Sequence, residues 1–296
     1  MSSPRRRPAL NSFPRNAATA NTILWGKARS YHVANFPGPL SIKSVIRGSA
    51  VWETDDARWV LGPGSYLILN HGRTYSITVD SDQPVETFCL FFQPGFVEDV
   101  WRSSVTPSEL LLEDSRPQTS PANFFERIQP PDAVTALLKR MHGEAVSGES
   151  SRAQQEEDFV AAAEAMLQTQ RSVGREAARI TAVKSSTRQE LLRRVSRGRD
   201  FIESSLTEPI TLAQMAHAAC LSPYHFHRLF RTTFGERPHQ YVVRRRLERA
   251  TAALRSSDIP ITQVCLESGF ESLGSFSALF RRRYGTPPSQ WRMAHQ

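Results

Sequence analysis

The sequence predicts a two-domain α+β protein: an N-terminal antiparallel β domain with flanking helices, followed by an all-α C-terminal domain. The chain has 296 residues, which is long enough for two domains. Its hydrophobic pattern has a period of two over about 22–100 and a period near 3.6 thereafter. We therefore predict four segments. They are a disordered N-terminus (1–20), a sensor and dimerisation domain (21–171), a linker (172–188) and a helical domain (189–296).

The charge distribution divides the chain near the same linker. Residues 1–187 hold 20 basic and 20 acidic side chains, whereas residues 188–296 hold 17 basic and 9 acidic ones, a net charge of +8. All the basic residues of the second segment are arginines, whose planar guanidinium can donate two parallel hydrogen bonds to a phosphate or a base edge. A nucleic acid partner fits this pattern. A solvated, arginine-rich surface is the alternative.

Several classes of protein are disfavoured by composition. The three cysteines, Cys89, Cys220 and Cys265, are scattered, so the sequence predicts no disulfide framework and fits a reducing cytoplasm. No apolar run approaches the ~18 residues of a membrane-spanning helix. The basic N-terminus lacks the apolar core of a secretion signal. We expect a cytoplasmic protein with no membrane partner.

The N-terminal half is predicted to form a barrel or sandwich of short strands. The β-rich runs "SYLILN", "TYSITV" and "VETFCLFF" are separated by turn signals such as "GPGS", "NHGR" and "DSDQP". Two amphipathic helices should follow. The residues expected on their apolar faces are Ala133, Leu137, Leu138 and Met141 in the first, and Phe159, Val160, Ala163, Met166 and Leu167 in the second.

The stretch from Ile210 to Tyr241 has the pattern of a helix-turn-helix unit. Ser222 is a good N-cap, Pro223 suits the first helical position, and Gly235 can adopt the left-handed conformation that ends a helix. One apolar stripe should be buried, and it consists of Phe226, Leu229, Phe230 and Phe234. The opposite face carries Tyr224, His225, Arg228, Arg231 and Thr232, with His227 at its flank. Such a helix fits a DNA major groove.

A second copy of this unit spans Ile261 to Trp291. It aligns at an offset of 49 residues before the turn and 50 after it, so the second turn has one extra residue. Phe226 then matches Phe276, and Gly235 matches Gly285. A rigid connecting helix is predicted between the units, with Leu247, Ala250 and Leu254 on one face.

The segments "ITLAQMAHAACLSPYHFHRLFRTTFG" and "GFESLGSFSALFRRRYGTPPSQWR" resemble the DNA-binding domain of the AraC/XylS family of bacterial transcription regulators. The resemblance covers roughly 195–293 and implies that both recognition helices enter successive major grooves, ~34 Å apart, on one face of the DNA. It places the base-reading positions of the first helix on Tyr224, His227 and Arg228.

The second recognition helix departs from what the resemblance leads us to expect. Its base-reading positions fall on Leu273, Gly274 and Ala278, which have few groups able to hydrogen-bond a base. We predict that Ser275 and Ala278 touch base edges, with Ala278 suited to a thymine methyl group. The first helix should therefore specify the DNA sequence, while the second mainly anchors the protein on the DNA. The expected phosphate contacts are His225, Arg231, Thr232, Ser277, Arg281 and Arg282, with Arg283 also suited to such a contact.

The N-terminal half resembles the cupin-like β-barrel sensor domain common in that family, through the stretch "LGPGSYLILNHGRTYSI". Enzymatic cupins hold a metal on clustered histidines, but this half supplies only His71 and the more distant His32, so we expect no metal, no cofactor and no catalytic residue. The barrel could bind a small effector. Candidate lining residues are Trp52, Trp59, Tyr66 and Tyr75, although strand alternation sends some of them to each face.

The sequence thus favours a non-enzymatic, sequence-specific regulator that binds double-stranded DNA. We expect a homodimer formed through the helices near 133–142 and 156–169, with a small-molecule effector and RNA polymerase as possible further partners. Two other functions are left open: a cupin enzyme with an accessory DNA-binding domain, and a non-specific architectural DNA binder. The sequence identifies neither the effector nor the target genes.

Overall fold

A computed structural model describes residues 19–105, 122–181, 184–256 and 258–295. The N-terminal segment that we predict to be disordered, 1–20, lies almost entirely outside the described residues. The chain divides into two compact units after Arg175, a point within the predicted linker.

The first unit is built on an antiparallel β-sheet. The strands are β1 (Thr22–Pro37), β2 (Ser41–Arg47), β3 (Ala50–Glu53), β4 (Arg58–Leu61), β5 (Tyr66–Leu69), β6 (Thr74–Phe91) and β7 (Ile128–Gln129). The order is β4-β3-β6-β2-β5-β7, and β1 pairs with the other edge of β6. The N-terminal half of β6 pairs with β3 and its C-terminal half with β2, so β6 joins the two halves of the sheet. The sheet forms the nearly closed barrel that the sequence predicts, around an apolar interior.

The stretch "DSDQP" does not separate two strands as predicted, because it lies inside β6. Ala28 of β1 pairs with Val85, but Ser30 pairs with Asp80. Residues 81–84 are therefore extra residues that interrupt the pairing with β1. The composition of this stretch does favour a turn. Because the residues on both sides of it pair with β1, however, the stretch forms an irregularity within one long strand.

Three helices of the described residues accompany the sheet: α1 (Phe96–Val105), α2 (Ala133–Ser147) and α3 (Arg152–Ala178). α2 and α3 pack on the outer face of the sheet around Phe92, Leu138 and Phe159. The predicted apolar faces are partly wrong. Val160 is 39% exposed, and Ala162 is buried instead. On α2, Ala133 is exposed, and Val134 and Thr135 are buried.

The second unit contains seven helices among its described residues. They are α4 (Ser185–Ser204), α5 (Leu212–Ala218), α6 (Pro223–Phe234), α7 (Pro238–Ser256), α8 (Ile261–Glu267), α9 (Leu273–Tyr284) and α10 (Pro288–His295). The predicted linker, 172–188, overlaps the end of α3 and the start of α4, because its Arg, Ala and Glu residues favour a helix despite their low hydrophobicity. The predicted connecting helix is α7, and its Leu247, Ala250 and Leu254 are buried. None of the helices within the described residues has the length and apolar character that crossing a membrane requires.

The two helix-turn-helix units share one turn geometry. Cys220 and Gly269 occupy equivalent positions, and both have positive φ angles, 51° and 91°. The amide of Leu221 donates to the carbonyl of Ala216, and the amide of Phe270 donates in the same way to Cys265. The first turn comprises residues 219–222 and the second 268–272, so the predicted extra residue is confirmed. It lies between the left-handed residue and the N-cap of the next helix.

The barrel interior holds a charged residue that the sequence did not single out. The side chain of Lys43 is 1% exposed, and its Nζ donates to the Tyr75 hydroxyl at 2.6 Å. Trp52, Trp59 and Tyr75 belong to the same interior cluster. Tyr66, by contrast, lies on the helix-covered face and donates to Asp132 at 2.7 Å, so it does not line the interior.

We predict opposite effects for substitutions at the two left-handed positions. Cys220→Gly should raise the free energy of unfolding by about 0.5–1 kcal/mol, because a residue with a Cβ is strained at this φ. Gly269→Ala should lower it by more than about 3 kcal/mol, because a Cβ there would lie 2.3 Å from the Leu206 carbonyl oxygen. Urea unfolding followed by circular dichroism checks both. If both substitutions changed the free energy of unfolding in the same direction and by the same amount, the shared left-handed geometry of the two positions would be contradicted.

A second prediction concerns pH. Burial lowers the pKa of the Lys43 amine from 10.5 to about 7. Between these values the unfolded chain binds a proton that the folded chain does not, so stability rises with pH. The unfolding free energy of the wild type relative to Lys43→Met should therefore increase by up to ~1.4 kcal/mol per pH unit over this window. Urea unfolding at several pH values measures this difference. If the unfolding free energies of the two proteins changed with pH by the same amount, the prediction would be wrong.

Candidate DNA-binding surface

α6 and α9 are the second helices of the two helix-turn-helix units, and the same local signals position both. Ser222 caps α6 by accepting from the amide of His225, and Ser272 caps α9 by accepting from the amide of Ser275. Gly235 and Gly285 end them with φ of 79° and 80°. The predicted start and end of the first helix are confirmed.

Aromatic side chains fix the rotation of each helix about its own axis. Phe226 and Phe230 are fully buried on α6, as are Phe276 and Phe280 on α9. The ring centroids of each pair lie 5.4 and 5.6 Å apart. Residues four positions apart lie on the same face of a helix. Because that face is buried in both helices, only the opposite face is available to a ligand.

The outward face of α6 carries the residues that the sequence predicts there. Tyr224 is 77% exposed, and Arg228 is exposed near the middle of this face. Arg231 and Thr232 are also exposed, one turn further along. Two other predicted contacts, His225 and His227, are half-buried, so they lie at the margins of the face.

The outward face of α9 has different chemistry. Ser275 and Ala278 are exposed at the positions predicted to touch bases, and Leu273 is 42% exposed at the start of the helix. Ser277 is half-buried. Arg281 and Arg282 are exposed in the last turn. This face therefore offers one short hydroxyl and a methyl group near its centre, with positive charge confined to one end.

The arginines of this unit fall into two sets. In the first set, Arg245 forms an ion pair with Glu203 at 2.7 Å, and Arg244 pairs with Glu236 at 2.8 Å. In the second set no side chain has an ion pair or hydrogen bond to another described residue. Its members are Arg228, Arg231, Arg281 and Arg282. Exposed arginines that pair with no other described residue thus lie on the outward faces of α6 and α9, although others, such as Arg197 of α4 and Arg249 of α7, lie elsewhere.

The paired set forms a network that ties α7 to α4. Burial opposes ionisation of Glu248, but hydrogen bonds from Arg244 and Arg245 outweigh this effect and lower the pKa of its carboxyl. The Arg245–Glu203 pair is buried on both sides, with 8% and 7% exposure, and Tyr241 donates to the same carboxylate at 2.5 Å. Removing one partner of such a pair leaves a buried charge uncompensated. These arginines have a structural role.

The histidines do not assemble into a metal site. His71 is an exposed turn residue between β5 and β6, and the exposed His32 makes a 3.0 Å hydrogen bond to Thr78. Within the parts of the chain that the structure describes, no group of three or more His, Cys, Asp or Glu side chains could hold a metal ion.

Relatives match the C-terminal unit. The chain is 38% identical over 93 residues to the probable transcriptional regulator LumQ of Photobacterium leiognathi, covering 31% of this chain and 38% of that protein. It is 28% identical over 96 residues to the multiple antibiotic resistance protein MarA of Escherichia coli, covering 32% of this chain and 76% of MarA. The DNA-binding domain of AdpA, crystallised with a target DNA, is 28% identical, covers 34% of this chain and 90% of that one, and has a TM-score of 0.33.

LumQ and YbfP, an uncharacterized HTH-type transcriptional regulator of Bacillus subtilis, are spanned only in part, since the chain covers 38% of the first and 32% of the second. Family-level matches extend over both units. Residues 23–167 match the AraC-like ligand binding domain, and residues 215–294 match a helix-turn-helix domain. Together they account for the curved sheet with its helices and for both recognition helices. The chain belongs to the AraC family.

Proposed function

We propose that the protein is a sequence-specific DNA-binding transcription regulator whose N-terminal domain senses a small molecule. The observation that carries this proposal is the matched pair of recognition helices, since the outward face of each carries exposed arginines that pair with no other described residue. Charged groups left without partners on one surface suit a polyanion, and an α-helix fits the major groove. The descriptions of LumQ and YbfP as transcriptional regulators support the same function.

We assign different tasks to the two recognition helices. On α6, Arg228 can donate to guanine O6 and N7, while Tyr224 and His227 flank it. On α9, the centre of the face is Ala278, and the charged residues Arg281 and Arg282 lie near its C-terminal end, where they suit phosphates. α6 would therefore select the sequence, and α9 would mainly hold the protein on the DNA.

A second copy of the chain and RNA polymerase are the further partners of this proposal. Val146 and Val160 are 56% and 39% exposed on α2 and α3, and a homodimer formed through these helices would bury them. Two copies would also bind two half-sites, as dimeric helix-turn-helix proteins do. Contact with RNA polymerase would be needed if the protein activates transcription.

Selection of bound sequences from a random duplex library tests the function directly. A regulator should enrich a defined motif and bind it ~10³-fold or more tightly than random DNA at physiological salt. Equal affinity for random duplexes would favour an architectural DNA binder instead. A metal that copurifies with the protein at one equivalent would favour the cupin enzyme.

Arg228→Ala should relax sequence preference. Loss of one bidentate contact should cost ~1–3 kcal/mol on the selected motif, with little change on random DNA. Competition binding with single-base variants of the motif measures this effect. Arg171→Ala, which removes an exposed arginine from α3 of the other unit, is the charge-matched control and should leave both affinities unchanged. Equal weakening on motif and random DNA would assign Arg228 to phosphate.

Arg281→Ala should weaken binding to every duplex by a similar factor. If the guanidinium contacts one phosphate, the slope of log affinity against log salt should become shallower by ~0.9. Titrations at several salt concentrations, on the motif and on random DNA, measure both effects. A loss confined to the motif would contradict the anchoring role of α9, and so would an unchanged salt slope.

A further inference from the structure

A small group of polar side chains lies inside the otherwise apolar barrel. Lys43 of β2 pairs in register with Cys89 of β6 and is completely enclosed. Burial raises the pKa of the Tyr75 hydroxyl, and ionised Cys89 or Tyr31 would raise it further, so Tyr75 stays protonated at neutral pH. Burial likewise raises the pKa of the Tyr31 hydroxyl and of the Cys89 thiol. The two titratable groups next to Lys43, Tyr75 and Cys89, are thus both neutral at neutral pH.

The Lys43 amine lacks a counter-charge. Its Nζ lies 2.6 Å from the Tyr75 hydroxyl, 3.9 Å from the centroid of the Phe91 ring and 4.4 Å from that of Tyr75. No carboxylate of the described residues forms an ion pair with it. An ammonium has three donors, and burying it without an anion is costly, since aromatic faces compensate the charge only in part. Burial accordingly lowers the pKa of this amine to about 7.

One wall of the interior is less tightly covered than the others. The side chains that β1 contributes to the interior cluster are all half-buried, and they are Leu24, Tyr31, Val33 and Phe36. The residues that β2, β3 and β5 contribute are buried. β1 pairs with β6 alone, and its register shifts twice along that edge. Because β1 pairs with β6 alone, its displacement would open this wall of the interior while leaving the pairing among the other strands intact.

We propose that the barrel interior binds a small organic acid whose carboxylate is held by Lys43 and Tyr75 and whose apolar part packs among the aromatic side chains beneath β1. This inference rests on the proposed sensor role of the N-terminal domain and specifies the effector class. The ligand would supply the anion that the buried amine lacks. Tyr75, which keeps its proton, would donate the second hydrogen bond to the carboxylate.

The chemistry of the interior discriminates among ligand classes. A cation would be repelled by the protonated amine, and a neutral ligand would leave it without a counter-charge. A phosphate dianion needs more donors than one amine and one phenol provide. A monocarboxylate matches the charge, and an apolar body suits walls made of Trp52, Trp59 and Phe91.

Ligand binding to the full-length protein tests the proposal. The probes are butyrate, hexanoate and benzoate, each compared with its primary amide, and the readouts are tryptophan fluorescence and isothermal titration calorimetry. At least one acid should bind, and its amide should bind at least about tenfold more weakly. At about pH 8 the free amine is mostly neutral, so binding of a carboxylate should take up close to one proton, which calorimetry in two buffers of different ionisation enthalpy detects.

Substitutions distinguish recognition from folding. Lys43→Met should abolish proton uptake and weaken acid binding by about tenfold or more, while the protein stays folded, because a methionine of similar length suits the apolar interior. Tyr75→Phe should weaken binding by a smaller factor. Lys184→Met, at an exposed position just before α4 of the other unit, is the matched control and should bind as the wild type does.

Three results would overturn the proposal: no acid of the panel binds, acids and amides bind equally, or Lys43→Met binds acids like the wild type. Selection of bound DNA sequences with the same protein preparation distinguishes failure of the effector proposal from failure of the proposed regulatory function. Specific DNA binding without acid binding would refute the effector class alone. Acid binding without specific DNA binding would refute the proposed function.

Discussion

The recognition surface depends on one packing constraint, the burial of two phenylalanines four residues apart on each recognition helix. On α6 these rings leave no freedom of rotation about the helix axis, so the opposite face is defined as soon as the core forms. Gly198 of α4 is part of the constraint, because a Cβ at that position would lie 2.3 Å from the ring of Phe226. The close approach of α4 holds the ring in place, and with it the direction in which Arg228 projects.

The first unit is stabilised in a different way, by a sheet that is buried on both faces. Its sheet is covered by α2 and α3 on one face and encloses an apolar cluster on the other, so strands such as β2 are buried on both faces. Such an arrangement normally excludes an unpaired charge. The enclosed Lys43 amine departs from the apolar character of its surroundings, and departures of this kind concentrate at functional positions.

Local signals predicted the second unit well and the first only in outline. Caps, glycine stops and the phenylalanine stripe act over a few residues, so the sequence alone predicted the start of α6 at Pro223 and the extra residue of the second turn. The left-handed backbone of Cys220 was not predicted, although the repeat aligns this residue with Gly269, because a cysteine rarely adopts that conformation. Lys43 was missed for another reason. Alternation along a strand that is buried on both faces does not say which side chains face the interior.

The long strand β6 shows the limit of turn signals. Its central "DSDQP" favours a turn locally, but pairing of both halves with β1 is a long-range interaction that the local pattern cannot report. Which arginines are free is likewise a tertiary property. Nothing in the run "RRR" at residues 244–246 distinguishes it from the run at residues 281–283, yet the former is engaged by carboxylates and carbonyl groups.

The exposed side chains of Tyr224 and Arg228 form no hydrogen bond or ion pair with any residue that the structure describes, and this bears on how such a protein can change over evolution. A side chain that packs against nothing and pairs with nothing can be replaced at a cost of less than about 0.5 kcal/mol in folding. New combinations at Tyr224, Arg228 and Ala278 can therefore arise without compensating changes in the core. Under the proposed function, divergence of the preferred DNA sequence would in this way be uncoupled from the stability of the fold, and one fold could serve many operators.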